Sequence, residues 1–125
     1  MTPELEQALR EEQLIYITTY DATSKPGTVP VWFAYEQGKV FISTGPESLK
    51  AQKIHGNPRV RLALGRRDGS AFDGTARFTS DKATCAMVAR SLSEKYHGYW
   101  GDPSKLARSM AQGRERVLIE VTPTA

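Results

Sequence analysis

The succession of structural elements is clearest in Phe41–Val60, which reads FISTGPESLKAQKIHGNPRV. Its first residues are rich in apolar and β-branched side chains and favour a strand, which Gly45-Pro46 ends. Glu47–His55 is predicted to form a short helix, and Gly56-Asn57-Pro58 stops it. The stretch therefore predicts a strand, a short helix and the start of another strand, with a backbone break at each junction.

Three strands are predicted on the amino-terminal side, after a leading helix over residues 2–12. They are Leu14–Asp21, Gly27–Glu36 and Lys39–Thr44, and the turns between them are short enough for antiparallel pairing. Pro30 lies in the second strand. Because a proline has no N–H to donate to a sheet, we expect this strand at an edge or at a bulge.

Strands and helices are mixed on the carboxyl-terminal side. The predicted elements are strands Arg59–Arg66 and Ser70–Thr79, helices Asp81–Tyr96 and Pro103–Gln112, and a last strand, Arg116–Thr122. Five or six strands joined partly by hairpins, with helices between the others, predict a small closed barrel of the α+β class. The sequence shows no internal repeat and no linker, so we expect one domain over residues 1–125.

Composition excludes several classes of protein. The chain has 125 residues, the size of one ordinary domain. No stretch approaches the roughly 20 apolar residues of a membrane span, and the acidic start of the chain lacks the apolar segment of a secretory signal. We therefore expect a cytoplasmic protein without a membrane partner. The 17 basic residues are interspersed with 14 acidic ones, which argues against nucleic-acid binding and fits an anionic small molecule.

The predicted core is small. Leu, Ile, Val and Phe make up one residue in five, near the lower limit for a packed domain. A chain of this size buries roughly two-thirds of its unfolded surface, which leaves little apolar surface to line a deep pocket. A large ligand is therefore expected at a site shared between two subunits.

The usual catalytic patterns do not occur in the sequence. His55 and His97 are far apart and lack metal-ligand spacing, so both are predicted to be surface or helix-end residues. Cys85, the single cysteine, falls on the apolar stripe of a predicted helix and is interpreted as a buried small hydrophobe. There is no phosphate-binding Walker loop, nucleophile elbow or dinucleotide fingerprint. We therefore identify no catalytic residue, expect no metal, and assign any difficult chemistry to a cofactor.

A candidate anion site lies at the start of the short helix. Free N–H groups and the helix dipole favour an anion there, and Ser48 adds a hydroxyl. Lys50 and Lys53 are three residues apart and share a helix face, while Arg61 projects from the next strand. Together these residues predict a phosphate site. A capped surface helix with solvated lysines is the alternative.

Four short segments carry a resemblance to a known family. They are Val29-Pro30-Val31-Trp32-Phe33, Ser43-Thr44, Ser48-x-Lys50 and Asn57-Pro58-Arg59-Val60. At these spacings the sequence resembles the pyridoxamine 5′-phosphate oxidase-like split-barrel superfamily over nearly its whole length, and most closely the branch of deazaflavin-dependent reductases, which use coenzyme F420. The resemblance implies an α+β, mainly β fold: a six-stranded antiparallel split β-barrel with flanking helices. It also implies a homodimer with the cofactor in a cleft between the subunits.

The resemblance implies roles for individual residues. Trp32 lies on the strand face opposite its two neighbours, so a core or interface position and a flat wall beside the cofactor ring both stay open. The segment Lys95–Trp100 (KYHGYW) is expected from the second subunit. The implied cofactor contacts are Val31, Trp32 and Phe33 beside the ring, Ser43 and Thr44 along the ring or ribityl chain, and Ser48, Lys50 and Lys53 at the phosphate.

The implied function is an oxidoreductase that transfers a hydride between coenzyme F420, or FMN, and a small organic substrate. A non-catalytic flavin- or haem-binding or storage protein of the same fold is the alternative, because the sequence shows no evident acid–base pair. Arg66 and Arg67 fit either the acidic tail of the deazaflavin or a solvated hairpin. Vitamin-B6 oxidases carry a substrate-binding segment after the last strand, whereas this chain reads RVLIEVTPTA over Arg116–Ala125, so pyridoxamine phosphate oxidation is not expected.

Overall fold

Four helices and seven strands follow one another in the computed structural model, which describes residues 1–124. Ala125, the last residue of the predicted domain, lies outside the described residues. Within the described chain, no helix is long and apolar enough to cross a membrane. The elements are α1 (Pro3–Glu11), β1 (Ile15–Tyr20), β2 (Pro26–Val31), β3 (Ala34–Glu36), β4 (Lys39–Thr44), α2 (Leu49–Gly56), β5 (Arg59–Leu64), β6 (Ala71–Thr79), α3 (Lys82–Lys95), α4 (Pro103–Gln112) and β7 (Val117–Pro123).

The seven strands form one antiparallel sheet in the order β2-β1-β5-β6-β7-β4-β3. The two edge strands, β2 and β3, are consecutive in the chain and are separated only by Trp32 and Phe33. Three residue steps span at most about 11 Å, so the two edges must lie close together and the sheet must curl on itself. No ladder joins β2 to β3 within residues 1–124, and the result is a split-barrel-like α+β fold.

The predicted count of six strands is wrong, because the strand predicted over Gly27–Glu36 is broken into β2 and β3. At the break, the Phe33 N–H donates a hydrogen bond to the Tyr96 hydroxyl (3.0 Å), and the Phe33 carbonyl lies 3.2 Å from the same oxygen. A side chain thus replaces the missing strand partner, and the chain passes from one sheet edge to the other. Pro30 lies in the edge strand β2, as predicted.

The helices and turns mostly match the predictions. Thr2 caps α1 by accepting a hydrogen bond from the Leu5 N–H (3.2 Å), and Asp81 caps α3 in the same way. The turn at Gln37 and Gly38 has φ values of 55° and 75°, as a tight hairpin requires. Helix α2 begins at Leu49, two residues later than predicted.

The later start of α2 has a local cause. Ser48 is extended rather than helical, and its hydroxyl accepts the Ala51 N–H at 3.2 Å, so Ser48 is the N-cap and not a residue of the first turn. Its hydroxyl also accepts a hydrogen bond from the Thr44 hydroxyl at 3.3 Å. The junction between β4 and α2 is therefore fixed by a short chain of hydroxyl contacts.

Two apolar clusters stabilise the fold. The first fills the curled sheet, and the second packs the outer face of β4 and β7 against α3 and α4. β4 contributes to both, because its alternate side chains point to opposite faces. Cys85 is buried in the second cluster, as predicted. Fully buried members include Leu9, Ile17, Val40, Ile42 and Leu62 in the first and Phe41, Val88, Met110 and Leu118 in the second.

Candidate functional site

A cavity of about 390 Å³ opens where the ends of β2 and β4 meet the start of α2 and the link between α3 and α4. This volume falls in the range of small-molecule sites, roughly 300–1,000 Å³. Five of the nine residues predicted for the site contribute to it. The cavity is lined by Val31, Trp32, Ser43, Thr44, Lys50, Leu92, Tyr99, Trp100 and Arg116.

Two cations, Lys50 and Arg116, line the cavity. Within residues 1–124 no carboxylate lies within salt-bridge distance of either side chain. Burial lowers the pKa of the half-buried Lys50 ammonium, and the positive charge of Arg116 lowers it further. The cavity thus holds concentrated positive charge without compensation, an arrangement that favours an anionic ligand.

The hydroxyl groups of the site are engaged with protein atoms. Arg116 Nε donates to Ser43 Oγ at 2.8 Å, and Arg116 Nη2 donates to the Ser43 carbonyl at 3.1 Å. These two bonds fix the plane of the guanidinium. Ser48 and Thr44 hold the β4–α2 junction, and Ser48 itself does not line the cavity.

An aromatic wall faces the two cations. The Trp32 indole stacks on the Tyr96 ring, with 4.4 Å between ring centroids and 4° between the planes. Tyr99 and Trp100 meet the indole edge-on, at 4.9 and 5.4 Å. Trp32 is 38 % exposed and lines the cavity, so part of its indole is open to aromatic contact with a ligand.

Tyr99 and Trp100 line the cavity of their own chain, and both belong to the segment Lys95–Trp100 that was expected from a second subunit. Tyr99 and Trp100 contact Trp32 of the same chain. The Tyr96 hydroxyl, at the end of α3, is 3.0 Å from the carbonyl of Gln13 and bonded to Phe33, and these contacts hold the segment against the break between β2 and β3. This tertiary anchor, which no local pattern reveals, sets the segment beside the cavity of its own chain, and its contribution to a second subunit stays a prediction.

Four predicted site residues lie outside the cavity lining. Phe33 is fully buried, with the Lys95 ammonium 3.5 Å from its ring centroid. Ser48 caps α2, and Lys53 lies against Gly27 at the start of β2. Arg61 is exposed and forms an ion pair with Asp73 (3.0 Å). The structure therefore brings Lys50, but neither Lys53 nor Arg61, to the side chains of β2 and β4.

The remaining candidates are explained by local contacts. His55 stacks on Phe78 at 4.2 Å, and His97 sits in a left-handed turn, outside the cavity lining. Burial raises the pKa of the Cys85 thiol, which disfavours a thiolate nucleophile. No group of three or more His, Cys, Asp or Glu side chains in residues 1–124 is placed to hold a metal ion. Arg66 pairs with Asp68 at the hairpin, which matches a solvated turn.

Another concavity, of about 440 Å³, lies between α3 and α4. Lys82 and Arg108 are in its lining, together with alanines and a glutamine. None of the predicted site residues lines it, and the described residues give it no aromatic surface. The cavity beside Lys50 is therefore the better candidate for a planar anionic ligand.

Sequence reasoning missed Arg116. The residue immediately precedes β7, whose pairing with β4 sets Val117 opposite Thr44 and Leu118 opposite Ser43. That register brings the guanidinium of Arg116 to the end of β4. The sequence signal was an arginine at the start of a predicted strand, but using it requires knowing that β4 and β7 are neighbours, and they are far apart in the chain.

Comparison with known proteins identifies related sequences and folds. The family model described as pyridoxamine 5′-phosphate oxidase matches residues 1–125. A conserved hypothetical protein from Mycobacterium tuberculosis has a similar structure (TM-score 0.80, 22% identity, covering 100% of this chain and 82% of that chain). The haem storage protein HutZ from Vibrio cholerae is also similar (TM-score 0.76, 18% identity, covering 98% of this chain and 89% of that chain). So is an F420 reductase (TM-score 0.71, 22% identity, covering 96% of this chain and 93% of that chain). At these identities the likeness shows the fold. No curated protein matches the sequence.

Proposed function

This chain belongs to the pyridoxamine 5′-phosphate oxidase family, and from that premise we propose that it is an oxidoreductase that uses coenzyme F420, or FMN. The enzyme transfers a hydride between this cofactor and a small organic substrate. It works in the cytoplasm as a homodimer, whose second subunit completes the cavity. The family confirms the resemblance seen in the sequence, while the reaction and the cofactor rest on the argument below.

One observation carries the proposal: unpaired cations and a flat aromatic wall line the same cavity. Lys50 and Arg116 supply positive charge for a phosphate, and the Trp32 indole supplies a surface for a planar ring. FMN and coenzyme F420 each combine a tricyclic ring with a phosphate. The donor set therefore fits this class of cofactor.

When bound, the cofactor supplies hydride chemistry that no amino-acid side chain can perform. The contribution of the chain is binding and orientation. Lys50 and Arg116 hold the anionic group, while Trp32, supported by Tyr96, fixes the plane of the ring. Val31 and Leu92 add apolar surface to the cavity lining.

Equilibrium titration with FMN and with coenzyme F420 in parallel, followed by fluorescence, tests the proposal. We expect saturable binding of one or both. A tenfold difference in affinity, about 1.4 kcal/mol, identifies the physiological cofactor. If neither molecule binds at millimolar concentration, the proposed function is wrong.

Substitution of Lys50 tests the phosphate contact. In the Lys50→Ala variant we expect cofactor affinity to fall by about 1.5–3 kcal/mol, because a charge-assisted hydrogen bond is lost. Lys53→Ala is the matched control: it removes a lysine from the same helix that lies outside the cavity lining. Equal losses in the two variants would show that general charge, and not the position of Lys50, governs binding.

A non-catalytic flavin- or haem-binding or storage protein is the second candidate. It is favoured by one observation: among residues 1–124 the cavity is lined by no Asp, Glu, His or Cys that could act as an acid or a base. Turnover decides between the two functions. Tight cofactor binding without reduction of any acceptor in a broad panel would support the binding protein. A Soret band after haem addition that is lost in His55→Ala or His97→Ala would identify haem as the ligand.

A further inference from the structure

We propose that Arg116 and Lys50 form a two-cation clamp on the phosphate of the cofactor, and that Ser43 is the positioning residue that aims Arg116. This inference rests on the proposed function, because it concerns the same cavity. It assigns the phosphate to a residue outside the resemblance segments, and it gives Ser43 a structural task in place of direct cofactor contact.

The guanidinium of Arg116 is held in place before any ligand arrives. It donates through Nε to Ser43 Oγ (2.8 Å) and through Nη2 to the Ser43 carbonyl (3.1 Å), so both bonds go to one residue of β4. A guanidinium has five N–H donors, and three of them remain for a ligand. Because the planar group is already oriented, little side-chain entropy is lost when it binds an anion.

The two cations of the clamp are half-buried and share one cavity, unlike the exposed pair Lys82 and Arg108 in the other concavity. Arg61 is paired with Asp73, Arg66 with Asp68 and Arg77 with Glu120. In the described chain, Arg116 and Lys50 have no such partner, although both are half-buried and line one cavity. Two neighbouring cations without an acid destabilise each other, and a phosphate between them relieves that repulsion.

The serine hydroxyls fit a supporting task. Ser43 Oγ accepts from Arg116, and Ser48 Oγ accepts from both Thr44 and Ala51. Each of these serine oxygens thus already accepts a hydrogen bond from the protein. Arg116, which Ser43 orients, and Lys50 are the two cationic donors that line the cavity.

The test compares FMN with riboflavin, which has the same ring but no phosphate, in the wild type and in three variants. We expect Arg116→Gln to weaken FMN binding by about ten- to a hundredfold while riboflavin binding changes little. Arg116→Lys keeps the positive charge but not the planar guanidinium, so it should lose less FMN affinity than Arg116→Gln. Ser43→Ala should weaken FMN only, by a smaller factor than Arg116→Gln. Arg114→Gln, at an exposed arginine two residues away, should leave both affinities unchanged.

The outcomes separate the clamp from the proposed function. If Arg116→Gln weakens FMN and riboflavin equally, or weakens neither, the clamp is wrong while the flavin site stands. If the titrations favour coenzyme F420, the same comparison uses F420 and its phosphate-free deazariboflavin parent.

A second measurement keeps the clamp testable if no flavin-type cofactor binds. Inorganic phosphate is titrated into the wild type and into Arg116→Lys and Arg116→Gln by calorimetry. Saturable binding in the wild type that falls in both variants supports the clamp even when the cofactor assignment fails. Equal phosphate affinity in all three proteins, or no phosphate binding in any of them, overturns it. The two substitutions also guard against misfolding, because the lysine variant preserves the positive charge and the aliphatic part of the side chain.

Discussion

Lys50 combines partial burial with a neighbouring cation, and both conditions lower the pKa of its ammonium below the ordinary value of 10.5. Only the protonated form attracts a phosphate, and a bound phosphate raises this pKa. FMN affinity should therefore be retained near pH 8 and lost as the pH rises through the pKa of Lys50 in the free protein. Fluorescence titrations between pH 8 and 11, above the second ionisation of the phosphate at about 6, measure the profile.

Variants of Arg116 and Lys50 show which residue causes the alkaline loss of FMN affinity. Arg116→Gln removes the repulsion that lowers the pKa of Lys50, so the alkaline loss of affinity should move to higher pH. Riboflavin binding should show no such loss, because it has no phosphate. If Lys50→Ala kept the same alkaline loss as the wild type, a group other than Lys50 would be titrating.

At the scale of elements, the break between β2 and β3 depends on one hydroxyl group. Tyr96 Oη accepts the N–H of the fully buried Phe33 and lies within hydrogen-bond distance of two carbonyls. Tyr96→Phe leaves that N–H without a partner, so we expect a loss of about 1–3 kcal/mol in the free energy of unfolding, measured with urea. Tyr99→Phe is the control, because Tyr99 is 71 % exposed and should change stability by less than about 0.5 kcal/mol. Equal effects would show that the Tyr96 hydroxyl does not stabilise the break.

The same break shows what the sequence can and cannot predict. Local signals located α4, Pro103–Gln112, at both ends, and they located the turn at Gln37 and Gly38. The alternation of apolar residues from Val29 to Tyr35 continues through the break, so the local sequence does not reveal that β2 ends there. The residue that bonds the backbone at the break, Tyr96, is 63 residues away from Phe33. The bond between Arg116 and Ser43 spans 73 residues. Local patterns thus predict the helices and strands and the segments that line the cavity. Side chains that a distant strand brings to the cavity can be predicted only when the strand order is known.

For the whole molecule, the exposed apolar side chains are informative. Trp32 (38 %), Leu49 (67 %) and Tyr99 (71 %) are among the few large apolar residues left exposed. Trp32 and Tyr99 line the cavity, and Leu49 directly precedes Lys50, which lines it too. Exposed apolar side chains grouped around one cavity favour an interface, and a domain with a small core gains stability when a second copy covers them. The shared site expected from the sequence stays a prediction, which an interface variant can test.

Leu49→Glu tests that shared site. We expect the wild type to sediment as a dimer at micromolar concentration, and the variant to shift toward monomer and bind FMN at least tenfold more weakly, because a buried carboxylate at the interface is unfavourable and an open cavity lacks its second wall. Thermal stability of the wild type should rise with protein concentration. Val29→Glu is the control, since Val29 is an exposed apolar residue of the edge strand β2 and not of α2, and it should leave both properties unchanged. A wild-type monomer that binds cofactor with full affinity would show that one chain suffices for the site. The exposed apolar side chains around the cavity would then be explained by contact with the substrate.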